Sequence, residues 1–148
     1  MILKRERLYY PRGVVGNNIY MFTANPIVKQ DGKLVMGSGC AKSARDTYTG
    51  VDKMFGDKIV SGQEFNVTFV KWKEQWIGAF QTKIDWRKLS PTYLVKDSID
   101  KLKRIAEERP TWTFHLPCPA VSHGGKSVED VLPMLERLPD NVIVYLDD

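Results

Sequence analysis

Cysteine is scarce in this chain, and the scarcity excludes the disulfide-stapled class of small proteins. Cys40 and Cys118 are the only two cysteines, too few for a disulfide framework. They fit a reducing compartment, so a cytoplasmic location is expected. Long apolar runs are missing as well. No stretch approaches the ~18 residues that a membrane span needs, and no membrane partner is expected. The opening Met1-Ile2-Leu3-Lys4-Arg5-Glu6-Arg7 carries charge where a secretory leader has its apolar core. No repeat or low-complexity tract is present. Strong net charge is also absent: 22 basic against 18 acidic side chains leave +4. Lys4, Arg5, Arg7 and Arg12 crowd the start, where such a patch serves either as a solvated face or as an attraction for an anionic ligand or nucleic acid. Apolar content is sufficient for a core, at 43% of 148 residues. The length suits one domain.

Periodicity gives an alternating order of elements. Ile19 to Ala24 reads as a buried strand that stops at Asn25-Pro26. Asp31-Gly32 marks a turn, and Leu34-Val35-Met36 leads into Gly37-Ser38-Gly39. Ala41, Ala44 and Tyr48 share one helical face, and that helix ends near Gly50. Phe65, Val67 and Phe69 alternate with polar residues as in a strand. Trp76 to Phe80 is a second strand, and Lys73-Glu74-Gln75 joins the two as a hairpin. Ser90-Pro91 predicts a helix start, with serine as cap and proline at the first turn. Leu94, Ser98, Leu102, Ile105 and Ala106 continue that helix toward Pro110. Trp112 to Leu116 is a strand. Ser127 and Asp130 form a variant capping box for a helix bearing Val128, Val131, Leu132, Leu135 and Leu138. Val142 to Leu146 is the last strand. Strand, helix, hairpin, helix, strand, helix, strand predicts an α/β sheet with helices on both faces.

In such sheets ligands bind beyond the carboxyl ends of the strands. Asn25, Lys83, the 36–39 loop and the 118–126 loop all follow strand ends. Met36-Gly37-Ser38-Gly39 and Ser122-His123-Gly124-Gly125-Lys126-Ser127 each precede a helix, where unobstructed N–H groups make a phosphate site. Two such loops suggest a ligand with two phosphates. The bland reading of the first is a tight turn that needs positive φ. Ala120 to Ser127 also fits a relaxed nucleoside-triphosphatase loop with Lys126 on phosphate, although few residues follow to supply a magnesium-binding Asp. Lys83 could attack an aldehyde or anomeric carbon, or be a surface lysine beside Asp85. His123 suits acid–base work in a pocket, or only braces its loop. His115, Cys118, His123 and Cys40 carry zinc-ligand atoms but in no recognised metal spacing, so no metal and no cofactor is expected. Trp86 reads as core or crevice wall.

Several segments together resemble the macrodomain, the ADP-ribose-binding fold. Ala24-Asn25-Pro26 followed by Gly32-Lys33-Leu34-Val35-Met36-Gly37-Ser38-Gly39-Cys40-Ala41 is similar to the family's first-loop asparagine and Gly-Val-Met-Gly-x-Gly helix start. Gln81-Thr82-Lys83-Ile84-Asp85-Trp86-Arg87 with Ser90-Pro91-Thr92-Tyr93 resembles the Thr-Lys and Ser-x-x-Tyr region of the branch that removes terminal ADP-ribose from protein or ADP-ribose from DNA. Leu116 to Gly125, with Val128-Glu129-Asp130-Val131, resembles the second phosphate loop and its helix. The likeness covers about residues 19–146 and points to a small phage or bacterial member, acting in the host cytoplasm if viral.

The resemblance implies a three-layer α/β/α fold around a mixed sheet, one domain over 1–148 with a divergent 1–18 segment. It implies that Met36, Gly37, Ser38, Gly39 and Cys40 hold phosphate or the distal ribose, and that Val121, Ser122, Gly124, Gly125 and Lys126 take the other side of the diphosphate. Asn25 faces the ribose, Lys83 is the nucleophile and His123 is an acid or base. ADP-ribose or a related nucleotide is the implied ligand, and an ADP-ribosylated protein or nucleic acid the implied macromolecular partner. A non-catalytic binding module and an ADP-ribose 1″-phosphate phosphatase are the alternatives. The chain departs from the pattern in three places. The second loop has Lys126 near the acid of some members, Ser122-His123-Gly124 replaces Gly-x-Gly, and the Gly-Asp-Ile/Leu opening that reads adenine is missing.

Overall fold

The computed structural model describes residues 1–13 and 16–147. Val14, Val15 and Asp148, which the 1–148 domain reading includes, lie outside the described residues. Six strands and four helices follow in the order β1 (Ile2–Lys4), β2 (Asn18–Ala24), α1 (Gly39–Thr47), α2 (Val51–Lys58), β3 (Val67–Trp72), β4 (Gln75–Gln81), α3 (Thr92–Glu108), β5 (Thr113–Pro117), α4 (Val128–Leu135) and β6 (Val142–Tyr145). The strands form one sheet in the order β1-β6-β5-β2-β4-β3. Among the described strands of this sheet the β3–β4 hairpin is antiparallel and the other four pairs are parallel. The mixed-sheet α/β/α architecture is as expected.

Alternation along the strands divides the apolar side chains between two cores. Ile19 and Met21 of β2, Phe114 and Leu116 of β5 and Val142 and Val144 of β6 meet Val95, Ile99 and Leu102 of α3 and Val131 and Leu135 of α4. The intervening Phe22 and Ala24, with Ile77 and Ala79 of β4, meet Ala44 of α1 and Val51 and Phe55 of α2. Central strands clothed on both faces read as near-continuous apolar runs, and Trp76 to Phe80 does so.

Three local expectations change. The β1 strand and α2 were not expected. The first is a three-residue edge strand ending in lysine, and the second begins immediately after Gly50, whose φ of +88° turns the chain between two helices that share one core. Ser90 is not the cap of α3. Pro91 occupies that position without a side-chain cap bond, while the Ser90 N–H reaches across to the Gly124 carbonyl at 3.1 Å. Ser127 does cap α4, its Oγ accepting from Asp130 N–H at 3.2 Å.

Candidate functional site

Strand β2 pairs with β4 on one side and β5 on the other. The chain moves from β2 toward β4 and then crosses through α3 to β5, so the loops at the carboxyl ends part around β2 and leave a crevice. A cavity of about 510 Å³ fills it, within the range of small-molecule sites. Asn25, the whole of 35–41, Thr82, Lys83, Trp86 and parts of 117–124 form its wall.

Asn25 builds the first side. It is buried, and its Oδ1 accepts from Ile27 N–H at 2.9 Å while its Nδ2 donates to the Val35 carbonyl at 3.1 Å. A second tie, Val35 N–H to Ile27 O at 2.9 Å, closes the loop. Met36 is thereby held in the core and Gly37 to Gly39 emerge at the cavity. Ser38 precedes α1 with extended backbone and no side-chain cap bond. The N–H groups of Gly39, Cys40 and Ala41 thus have no acceptor within the helix. Gly39 has φ +58°, which favours glycine. No acidic side chain lies in the first turn of α1, so its positive dipole end is uncompensated.

The second side is a tightly wound loop. Ala120 takes φ +69°, and its carbonyl accepts from Lys126 N–H at 2.9 Å. Gly125 N–H donates to Ser122 O at 3.3 Å. Those bonds consume the Gly125 and Lys126 amides, whereas Val121, Ser122, His123 and Gly124 N–H have no acceptor among the described residues. Ser122, His123 and Gly124 line the cavity.

Lys83 enters from the end of β4, half-buried, with Nζ 3.4 Å from the Trp86 carbonyl. Trp86 stands half-exposed at the same wall. Asp85 is not a partner of Lys83. Arg87 grips it through Nε, Nη2 and its own backbone N–H, and these bonds hold the carboxyl down at about 2. Burial pushes the Cys118 thiol up to about 11. Burial also raises the Cys40 thiol, against the downward pull of the Tyr10 hydroxyl and Arg7. Both thiols stay protonated near neutrality, so neither supplies a thiolate.

The site therefore gathers Asn25, Met36, Gly37, Ser38, Gly39, Cys40, Lys83, Ser122, His123 and Gly124. Three expected residues fall outside its lining. Val121 packs toward the α3–α4 core, Gly125 turns behind the loop, and Lys126 donates its Nζ to Thr92 Oγ1 on α3 at 2.7 Å. A lysine so placed leaves the triphosphatase reading without its phosphate contact. His115 is separate from the cavity lining too. Its ring bonds Tyr145 Oη at 2.8 Å and Asn18 Oδ1 at 2.9 Å and stacks on Tyr20, and burial, aided by Lys4, pushes it down to about 4. Among the described residues no group of three or more His, Cys, Asp or Glu is placed to hold a metal ion. The sequence reading missed Thr23, Ala24, Val35, Ala41, Thr82, Pro117 and Ala120 on the wall. Position at a strand end was the signal that would have found most of them.

No protein-family model and no curated protein matches the chain. Solved structures do. The macrodomain of Thermus aquaticus DarG superposes with TM-score 0.69 at 20% identity, over 99% of this chain and 97% of that one. The macrodomain of Mycobacterium tuberculosis DarG gives 0.67 at 21%, over 97% and 99%. Thermosipho africanus DarTG in complex with ADP-ribose gives 0.65 at 20%, over 85% of this chain but only 37% of that longer one. Two of these similarities run over nearly the whole of both chains, and the six-stranded mixed sheet with its four helices has the macrodomain fold.

Proposed function

We propose that the chain binds ADP-ribose and hydrolyses an ADP-ribosyl linkage, using Lys83 as nucleophile. One observation carries the reading: two sets of backbone N–H groups without an acceptor among the described residues, at 39–41 and 122–124, border the same cavity as the Lys83 amine. Amides at a helix start and in a wound loop suit a diphosphate, each charge-assisted bond contributing roughly 1.5–3 kcal/mol. The similarity to a chain solved with ADP-ribose supports that choice of diphosphate.

With the diphosphate clamped, the distal ribose falls toward Asn25 and Lys83. The Lys83 amine attacks the anomeric carbon through its nitrogen lone pair. The bond from that carbon to the modified group breaks, its electron pair leaves with that group, and His123 supplies the proton. Water then adds at the anomeric carbon, the C–N bond to Lys83 breaks, and ADP-ribose is released with the amine regenerated.

The second reading is binding without turnover. Among the described residues no Asp or Glu lines the cavity, so that part of the wall offers no carboxylate base. Lys83→Ala separates the two. An enzyme keeps ADP-ribose binding and loses release of ADP-ribose from a modified substrate; a binding module shows no release even as wild type. Thermal stabilisation tests the ligand itself: ADP-ribose at 100 times its Kd should add about 2.7 kcal/mol, while AMP and magnesium-ATP at equal concentration add less. No shift with ADP-ribose overturns the proposal.

A further inference from the structure

Gln81 closes β4 and is fully buried. Its Oε1 accepts from Phe65 N–H at 2.8 Å and Asn66 N–H at 3.0 Å, and its Nε2 donates to the carbonyl of Lys83 at 3.0 Å. One side chain thus ties the entry of β3 to the peptide on the far side of Lys83. The anchoring end is rigid. Gln81 N–H bonds Asn66 O at 2.7 Å, Ser98 Oγ donates to Gln81 O at 2.7 Å, and Lys101 Nζ donates to Phe65 O at 2.9 Å. Asn66 sits at φ +60°, a conformation that persists in a non-glycine residue only where its surroundings impose it.

Lys83 has little else to fix it. Its own N–H reaches Ala24 O at 3.4 Å, and its Nζ reaches Trp86 O at the same distance. The direct hold on its carbonyl is the Gln81 amide. Glutamine suits the task because it is neutral, accepts at one atom and donates at the other.

We propose that Gln81 is a positioning residue, which aims the Lys83 amine into the cavity without touching the ligand. This rests on the reading of Lys83 as the group that meets the anomeric carbon. Gln81→Glu isolates the donor end. Read at a pH high enough to ionise it, the buried carboxylate still accepts from Phe65 and Asn66, and its second oxygen cannot donate to the Lys83 carbonyl. Asn66→Gly is the control: it keeps the backbone bonds to Gln81, accepts positive φ, and loses only the side-chain contact to Ser98 Oγ.

The experiment traps the amine on free ADP-ribose, whose terminal ribose opens to an aldehyde. Lys83 and that aldehyde condense to an imine with loss of water, and cyanoborohydride delivers hydride to give a secondary amine, read as the mass of the Lys83 peptide. At saturating ADP-ribose, Gln81→Glu should slow trapping at Lys83 on the order of 10- to 100-fold, and lower kcat alike, with Kd and KM within twofold of wild type. Asn66→Gly should trap at the wild-type rate. Wild-type trapping in Gln81→Glu overturns the inference. So does a parallel loss of Kd, trapping and melting temperature in both variants, which marks a purely structural junction. If wild type neither binds ADP-ribose nor forms the adduct, the functional reading fails first, and the positioning role falls with it.

Discussion

Adding one methyl group at Gly124 should open the second loop without unfolding the protein. A Cβ built on Gly124 would lie 2.5 Å from both Cα and O of Ala120 and 2.7 Å from its carbonyl carbon. All three are backbone atoms of a residue already held at φ +69°, so no side-chain rotation relieves the clash. Gly124 itself has no positive φ, so the cost is steric rather than conformational. Overpacking of this kind costs about 1–3 kcal/mol. The loop escapes by breaking the Lys126 N–H to Ala120 O bond and the Ser90 N–H to Gly124 O bond, at about 0.5–1.5 kcal/mol each. Those bonds hold the 122–124 amides toward the cavity, so the diphosphate loses at least one charge-assisted bond. Kd for ADP-ribose by calorimetry should rise about 10- to 100-fold in Gly124→Ala. Gly125→Ala is the contrast. Its Cβ meets Leu89 Cδ2 at 2.7 Å, the tip of an exposed side chain that can move, and its N–H already bonds Ser122. The left-handed φ of +79° costs about 1–2 kcal/mol of stability, with affinity held within about threefold. Equal affinities in wild type and Gly124→Ala would refute the assignment of this loop to the ligand.

Phe55→Ala removes a fully buried ring from the α1–α2 core and should lower unfolding free energy by about 3–5 kcal/mol in urea titration. Asn25→Asp keeps the acceptor for Ile27 N–H but sets a carboxylate oxygen against the Val35 carbonyl; stability should fall by about 1–3 kcal/mol and ADP-ribose affinity with it, measured by melting and calorimetry. His115, pushed down to about 4, binds its proton more readily in the unfolded chain, whose ordinary histidine value is near 6.5. The unfolded state therefore holds more protons between those values, and stability should drop as pH falls from about 6.5 to about 4. Denaturation midpoints across that window should lose this component in His115→Asn.

Amphipathic spacing made the main helices readable, and short apolar runs made the central strands readable, because β2 and β4 are covered by a helical layer on each face. What local pattern could not report was pairing. The β1 strand has three residues and an exposed Ile2, and it exists as a strand because β6 offers a free parallel edge. Helix α2 is interrupted in pattern by Gly56, which is there because the 32–34 backbone packs against it closely enough that a Cβ would overlap Gly32 O. A glycine that weakens the helix locally is what lets the 25–35 loop lie down on it.

The same logic explains which site residues were legible. Gly37, Ser38, Gly39, Ser122 and Gly124 were legible as cavity residues because a backbone amide left open beside a strand end excludes bulky side chains, and that exclusion is written as glycine or serine. Lys126 looked equivalent by type, yet in a wound loop direction alternates within two residues, and the bond from its N–H to Ala120 O turns it toward α3. Gln81 was silent for the opposite reason. It is not part of the cavity wall, and its contribution lies in three side-chain hydrogen bonds, two accepted from residues 16 and 15 positions before it and one donated two positions after it. An open backbone amide leaves a composition signature at the cavity wall. Aiming one amine leaves its signature in the buried hydrogen bonds behind it, and only the fold brings those partners together.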